Sequence, residues 1–243
     1  ASGTGTWLSV VTDVEPYSNE GKQVVSDIRA VDSPLGETLV GGSAAVFADS
    51  QDAMGDRLPW AIGIIAISTF LLLFLFTGSV IIPIKALLLN TLSLSATFGA
   101  MVWIFQEGHL SGLLGDFTVT GQLDTAMPIL MFCIAFGLSM DYEVFLISRI
   151  KEEYDRTGDN TAAVAMGLQR TGRLVTSAAA LMAIVFIAFA SSGVTIIKML
   201  GIGVALAVLV DATIVRGLLV PAFMRVAGDF NWWAPAPLKR LHS

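Results

Sequence analysis

The stretch "PILMFCIAFGLSMDYEVFLISR", residues 128–149, decides the fold class and raises the question of function. It begins as an apolar run that is long enough to cross a bilayer, since a hydrocarbon core of about 30 Å needs about 20 helical residues. Asp141, Tyr142 and Glu143 nevertheless lie side by side inside it. Because an ionised carboxylate in hydrocarbon is costly, acids in such a place indicate a function.

Composition places the whole chain among integral membrane proteins. Of its 243 residues, 54% are hydrophobic and only 14% are charged, and the mean hydropathy is +0.73. These three values lie outside the range of soluble globular proteins. Five apolar runs predict a mainly α, polytopic bundle within residues 59–224, and the predicted transmembrane helices are 60–82, 86–105, 126–147, 174–191 and 197–220.

Several other classes of protein have no support in the sequence. Residues 1–58 hold nine acids and three bases, whereas residues 59–243 hold eleven of each, and this balance argues against nucleic-acid binding. Cys133 is the only cysteine, which excludes an internal disulfide framework and a Cys-rich metal site. We expect no cofactor, no metal and no enzyme activity, because neither a Ser-His-Asp nor an HExxH arrangement nor a nucleotide-binding loop is found.

Residues 1–58 are polar and mixed in pattern. Strands are predicted at 7–12 and 37–42 and helices at 18–31 and 43–57, with Ser18 as the N-cap of the first helix. This order predicts part of a small α/β subdomain. The segment is short for an independent core, and the chain begins with Ala and no signal-peptide pattern. We therefore expect it to be part of a longer polypeptide.

The distribution of Lys and Arg predicts how the chain crosses the membrane. The loop around 106–125 has three acids and neither Lys nor Arg, whereas the loop around 148–173 has five bases. The tail, 225–243, has three bases and a Trp-Trp pair that fits an interfacial anchor. The positive-inside rule predicts a cytoplasmic tail and external residues 1–58. Lys85, after the first span, agrees with this orientation.

Two acids are predicted to lie deep in the membrane. Asp141 precedes Arg149 by eight residues, or about 12 Å of helix, and Asp211 lies near the middle of the fifth span. Each acid continues a line of small residues at a spacing of four, namely Cys133, Gly137 and Asp141 in one helix and Gly203, Ala207 and Asp211 in the other. Because small residues allow close helix approach, we expect both acids to face the bundle interior. Arg216 can neutralise one of them.

The four groups Asp141, Tyr142, Asp211 and Arg216 are the candidate proton relay. The alternative is a polar cluster that only fixes helix register, but intramembrane hydrogen bonds contribute about 0.6–2 kcal/mol, less than the cost of a central charge, about 2.5–3.5 kcal/mol. Burial favours the protonated form of a carboxylate and a nearby Arg favours its ionised form. We expect Glu143, by contrast, to pair with Arg149 or another base at the cytoplasmic mouth.

The sequence also resembles a known family. The segments that carry the resemblance are "GLSMDYEVFLISRIKEEYD", "GLQRTGRLVTSAAALMAIVFIAF", "LGIGVALAVLVDATIVRGLLVPAFM" and "NWWAP". They resemble the second half of the MmpL transporters of the resistance-nodulation-division (RND) superfamily, most of all members that export trehalose monomycolate.

This resemblance implies an architecture and a function. Residues 1–58 would be part of an external, periplasmic α/β porter subdomain, and the five spans would be helices eight to twelve of a multi-pass inner-membrane protein. Asp141, Tyr142, Asp211 and Arg216 match the family's relay residues, whose partners include an Asp-Tyr pair from helices of the first half.

The implied function is proton-motive-force-driven export of a cell-envelope glycolipid of the trehalose monomycolate class. The proton gradient would be the energy source, and the partners would be the lipid substrate, the membrane and the first-half helices. Two alternatives remain open: an RND exporter of drugs or siderophore-like molecules, and a non-transporting RND-type accessory or scaffold of secretion.

Overall fold

A computed structural model describes residues 7–32, 38–110, 112 and 126–235 of the chain. These residues are almost entirely helical. In chain order the helices are α1 (Asn19–Arg29), α2 (Ser43–Thr77), α3 (Ile81–Met101), a π-helical turn (Val102–Gln106), α4 (Ala126–Thr157), α5 (Asn160–Ala190), α6 (Thr195–Val210), a π-helical segment (Asp211–Leu219), α7 (Val220–Ala227) and a 3-10 helix (Gly228–Trp232). The chain divides into two compact units, residues 1–57 and 58–243.

The first unit confirms the predicted helices and their cap. Ser18 has an extended backbone, and its hydroxyl accepts a hydrogen bond from the Gly21 N–H at 3.0 Å, which satisfies a free donor of the first turn of α1. Arg29 donates two hydrogen bonds to the Asp49 carboxylate, at 2.7 and 2.9 Å. The Tyr17 and Phe47 rings meet edge to face, with centroids 5.5 Å apart.

The two predicted strands are not found in the described part of the chain. Residues 7–12 and 38–42 form no ladder, and residue 37 lies outside the described residues. A strand becomes stable only when a neighbouring strand satisfies its backbone groups, and neither segment has such a neighbour among the described residues. In the described part of residues 1–58, the helices of the predicted α/β subdomain are therefore formed, and its strands are not.

The number of membrane-spanning segments is confirmed, although their ends differ from the prediction. Among the described residues, five helices are long and apolar enough to cross a membrane: Ser43–Thr77, Ile81–Gln106, Ala126–Thr157, Asn160–Ala190 and Thr195–Trp232. The predicted helix 43–57 and the predicted span 60–82 are one helix, α2, which contains Pro59. A proline removes one backbone hydrogen bond, and here the helix continues on both sides of it. Most of the predicted 106–125 loop lies outside the described residues.

Close contacts between helices organise the core of the second unit. One apolar cluster joins α3, α4, α5 and α6 through Met101, Met131, Ala179, Met199 and Val204, among others. A second cluster joins α4 and α5 to the helix end near α7 through Leu146, Ile150, Ala163, Val215, Val220 and Met224. The outward side chains remain apolar, as expected of surfaces that face lipid.

The described part of the tail, up to residue 235, is packed and not merely interfacial. Gly228 ends α7 with a φ of 55°, a conformation that glycine adopts readily. The Asn231 side-chain amide donates to the carbonyls of Met224 and Gly228, at 2.7 Å each. The Ser79 hydroxyl donates to the Asn231 carbonyl, so the tail is fastened to the start of α3. Residues 236–243 lie outside the described residues.

The close approach of α5 and α6 gives a test of this packing. A Cβ added to Gly201 would lie 2.5 Å from the Phe186 carbonyl oxygen, whereas a Cβ added to Gly203 would meet the flexible end of Met131. We expect Gly201→Ala to lower stability by about 1–3 kcal/mol, because backbone does not yield easily, and Gly203→Ala to cost less. Thermal unfolding of the purified protein in detergent measures both.

Gly99→Ala is the matched control for this test, because nothing lies within 4 Å of an added Cβ there. It should leave the melting temperature unchanged or slightly higher, since Ala favours helix over Gly. Equal losses for Gly201→Ala and Gly99→Ala would contradict the packing described here.

Candidate functional site

A buried ion pair lies at the centre of the last membrane helix. Asp211 and Arg216 are 7% and 4% exposed. The Arg216 Nε donates to Asp211 Oδ2 at 2.7 Å, and Nη2 lies 2.6 Å from the same oxygen. The membrane acid that Arg216 neutralises is therefore Asp211, and both residues lie in the same helix.

Local helix geometry makes this pairing possible. In an α-helix, residues five apart point about 140° away from each other, because each residue turns the chain by about 100°. Asp211 and Arg216 both lie in the π-helical segment Asp211–Leu219. A π-helix bonds residue i to residue i+5, so the two side chains lie one above the other. The widened segment places both charges on the same buried face.

Ser139 on α4 ties this pair to a second helix. Its hydroxyl donates to Asp211 Oδ1 at 2.9 Å, and its backbone carbonyl accepts from Arg216 Nη2. The Arg216 guanidinium carbon also lies 5.4 Å from the centre of the Tyr142 ring, within the range of a cation–π interaction. Three side chains from two helices therefore surround one guanidinium group.

A small cavity adjoins the ion pair. Its volume is about 10 Å³, and its polar lining residues are Ser139, Tyr142 and Asp211. The remaining walls come from Leu138, Val208 and four alanines. The volume is close to that of one water-sized probe, so the space beside the Asp211 carboxylate is narrow and mostly apolar.

Asp141 does not face the interior of these five helices. The buried line of α4 includes Met131, Ala135, Ser139 and Glu143, whereas Asp141 is exposed. Two residues turn a helix by about 200°, so Asp141 points almost opposite to Ser139 and Glu143. The expectation that Asp141 and Asp211 both face the interior is therefore wrong for Asp141 in this chain. Tyr142, between the two faces, reaches Arg216.

Sequence reasoning missed two buried charged residues. Glu143 is 5% exposed and Lys85 is 1% exposed, and the two interact electrostatically. Arg149 pairs with Glu152 at 2.7 Å and not with Glu143. Lys85 is the fifth residue of α3 and not part of a loop. The spacing of four between Ser139 and Glu143 was the signal in the sequence that indicated their common face.

Comparison with known proteins agrees with this architecture. A profile of the MMPL family matches residues 3–242. The chain belongs to the MMPL family. Three relatives show how far the similarity of this MMPL chain extends. A putative membrane protein of Streptomyces coelicolor is 48% identical over 227 residues, which cover 93% of the chain and 32% of that protein.

Two further relatives have names that state a transport activity. The trehalose monomycolate exporter MmpL3 of Mycolicibacterium smegmatis is 42% identical over 92% of the MMPL chain and 22% of that protein. The mycolic acid-containing lipids exporter MmpL11 of the same organism is 37% identical over 96% of the chain and 25% of that protein. The chain thus spans between about a fifth and a third of the length of these relatives.

The ion pair of this MMPL chain predicts a strongly coupled pair of substitutions. Arg216→Met leaves the Asp211 carboxylate buried without its partner and should cost about 3–5 kcal/mol. Adding Asp211→Asn removes the orphaned charge, so the double variant should be more stable than Arg216→Met alone. Denaturant titration of the purified protein in mixed micelles measures the free energies of unfolding.

The exposed Arg149–Glu152 pair, on the same helix as Ser139, is the matched control. Arg149→Met should cost less than about 1 kcal/mol, since exposed ion pairs contribute little. Strictly additive losses at Asp211 and Arg216 would show that the two groups do not depend on each other.

Proposed function

We propose that this chain is part of a proton-motive-force-driven exporter of a cell-envelope glycolipid, of the trehalose monomycolate class, across the inner membrane. Membership of the MMPL family and the named activities of two relatives support transport of a mycolic acid-containing lipid. The buried Asp211–Arg216 pair supports coupling to protons. The proposal includes no enzyme activity and no bound cofactor.

The observation that carries the proposal is the retention of two opposite charges inside a membrane helix. Moving both charges out of water is expensive, and an apolar replacement of a buried ion pair is often as stable or more stable. Stability is therefore a weak reason to have Asp211 and Arg216 there. A change in the protonation of Asp211 is a stronger reason, because each proton that crosses 100 mV releases about 2.3 kcal/mol.

Protonation of Asp211 would change both the charge and the contacts of the site. A neutral carboxyl no longer attracts the guanidinium, so Arg216 would keep only its contacts with Ser139 and Tyr142. The π-helical segment is stabilised by the same pair, because the pair spans five residues. If this segment relaxed to α-helical geometry, α7 would rotate relative to α6. The rotation would be about 100° for each residue by which the hydrogen-bond register shifts. Proton binding would in this way be converted into movement.

In this proposal, Asp141 acts in the relay only in the complete transporter. On the outward face of α4 it follows Cys133 and Gly137 at a spacing of four, and such small residues let a neighbouring helix approach closely. The family resemblance implies that an Asp-Tyr pair of the first half lies there. In this proposal Asp141 and Tyr142 pass protons between that pair and the Asp211–Arg216 pair.

The orientation and the substrate remain parts of the proposal. The Lys and Arg distribution supports an orientation with residues 1–58 outside and the C-terminus in the cytoplasm. The substrate class rests on the names of the relatives, and no side chain of this chain is assigned to it. Native mass spectrometry of the complete transporter is the direct measurement: a bound glycolipid supports the proposal, whereas a drug or siderophore-like molecule, or a partner protein alone, favours the alternatives.

The relay predicts that single neutral substitutions abolish transport. In proteoliposomes of the complete transporter with an imposed pH gradient, Asp211→Asn and Asp141→Asn should each abolish movement of trehalose monomycolate. A protonophore should stop the wild type equally. Asp141→Asn should not reduce expression or insertion, because it removes a charge from the membrane. Asp211→Asn leaves the Arg216 charge buried without its partner, so its transport is compared at an equal amount of folded protein.

Asp155→Asn is the control on the same helix as Asp141, because Asp155 forms an exposed ion pair with Lys151. It should leave transport unchanged. Full transport by Asp211→Asn would reject the relay, and transport that survives the protonophore would reject proton coupling.

A further inference from the structure

Two buried charged groups have no role in the relay described above. Lys85 on α3 and Glu143 on α4 are almost completely buried. Neither Lys85 Nζ nor Glu143 Oε1 has a hydrogen-bond partner among the protein atoms described, and the two groups are not in direct ion-pair contact there. Because an unsatisfied buried charge is costly, this arrangement needs an explanation.

Glu143 lies beside the ion pair of the candidate site. It follows Ser139 by four residues on the same face of α4, and Ser139 contacts both Asp211 and Arg216. Within the described residues, the charged groups that interact electrostatically with Glu143 are Lys85 from α3 and Asp211 and Arg216 from the π-helical segment. Two positive and two negative groups therefore form one buried set with a formal charge of zero.

Other polar side chains of α3 are buried as well, namely Asn90, Ser93 and Thr97. The Asn90 amide is 2% exposed, and neither its nitrogen nor its oxygen has a hydrogen-bond partner among the described protein atoms. Lys85, Asn90 and Glu143 thus each have a buried polar atom without a hydrogen-bond partner among the described protein atoms.

Comparison with Glu153 distinguishes this arrangement from a structural ion pair. Glu153 is also buried on α4, and it pairs directly with Arg156 and, at 3.4 Å, with Arg170. Leu146, Ile147 and Ile150, all nearly inaccessible, lie between it and Glu143 along the helix. One buried glutamate of α4 is therefore neutralised by direct contact, whereas the other is not and lies behind an apolar layer.

We infer that Glu143 is a second proton-binding site of the transporter, with Lys85 as its counter-charge, and that it exchanges protons with the Asp211–Arg216 pair. The carboxylate of Glu143 binds one proton and becomes a neutral carboxyl, and release of that proton restores the ion. While Glu143 is neutral, it no longer balances the positive charge of Lys85. The Lys85 charge then acts more strongly on Asp211 and Arg216, so the two proton-binding sites are coupled electrostatically. This inference rests on the proposed proton coupling.

Chemical labelling tests the protonation of Glu143 directly. Dicyclohexylcarbodiimide is an apolar reagent that reacts with protonated carboxyl groups, and peptide mass spectrometry locates the adduct. In the complete wild-type transporter in liposomes we expect labelling of Glu143 that falls about tenfold per pH unit above its titration midpoint. Glu153 is the internal control and should stay unlabelled, because its two Arg partners keep it ionised.

Lys85→Met tests the counter-charge. Without the positive charge the protonated form of Glu143 is favoured, so the labelling profile should move to higher pH by about 1 unit or more. Lys85→Arg keeps the charge and should restore the wild-type profile. A profile that is the same in Lys85→Met and the wild type would overturn the role of Lys85.

Proton uptake separates failure of this inference from failure of the proposed function. A pH-sensitive dye inside the liposomes should report at least a tenfold slower uptake in Glu143→Gln, with Glu152→Gln, on the exposed side of α4, unchanged. Glu143→Asp should retain uptake with a shifted pH profile, which a purely structural role would not produce.

If the wild type takes up protons while Glu143 is unlabelled at every pH and Glu143→Gln is fully active, the inference fails and the proposed function stands. If the wild type takes up no protons, the proposed function itself fails.

Discussion

The ion pair between Asp211 and Arg216 constrains how two membrane helices of this protein are arranged. Both charges are buried, and the cost of burying them is offset only when each has close partners. That requirement fixes the π-helical geometry of one helix, which brings residues five apart together. It also fixes the rotation of α4, because Ser139 bonds both charged groups.

Close packing leaves little space around this polar centre. Gly201 and Gly203 let α6 approach α5 and α4 more closely than any larger residue would allow. The cavity beside Asp211 is consequently only about 10 Å³ in volume. Electrostatic interactions between buried groups are stronger than those at the surface, so a single proton on one buried carboxylate affects every neighbouring charge. Close packing therefore strengthens the electrostatic coupling between the charged groups of the site.

Asp141 has an outward position that Asp211 and Arg216 do not share. The Asp211–Arg216 pair is buried, whereas Asp141 is exposed on the surface of the described helices. The relatives are three to five times longer than the matched segment, and in the proposed function their additional helices cover that face. Tyr142 connects the two sides, because its ring reaches Arg216 from a position next to Asp141.

Much of the fold was predictable from local features of the sequence. Five apolar runs of sufficient length predict five spans, and Ser18 marks the start of α1 through its cap. Asp211 and Arg216 were identifiable as well, since charges in such runs are rare. In the part of the chain that the structure describes, residues 7–12 and 38–42 do not form the predicted strands, because a strand needs a neighbouring strand to pair with.

The sequence by itself determined which residues enter the membrane and which of them carry charge. Only the tertiary structure decided which way each of them points. A helix turns by about 100° per residue, so Asp141 and Glu143, two positions apart, lie on nearly opposite faces, and the contacts of α4 select Glu143 for the interior. Lys85 could be taken for a loop charge until the packing of α3 buried it. Rotation about a helix axis is set by all neighbouring helices together, and no local pattern contains it.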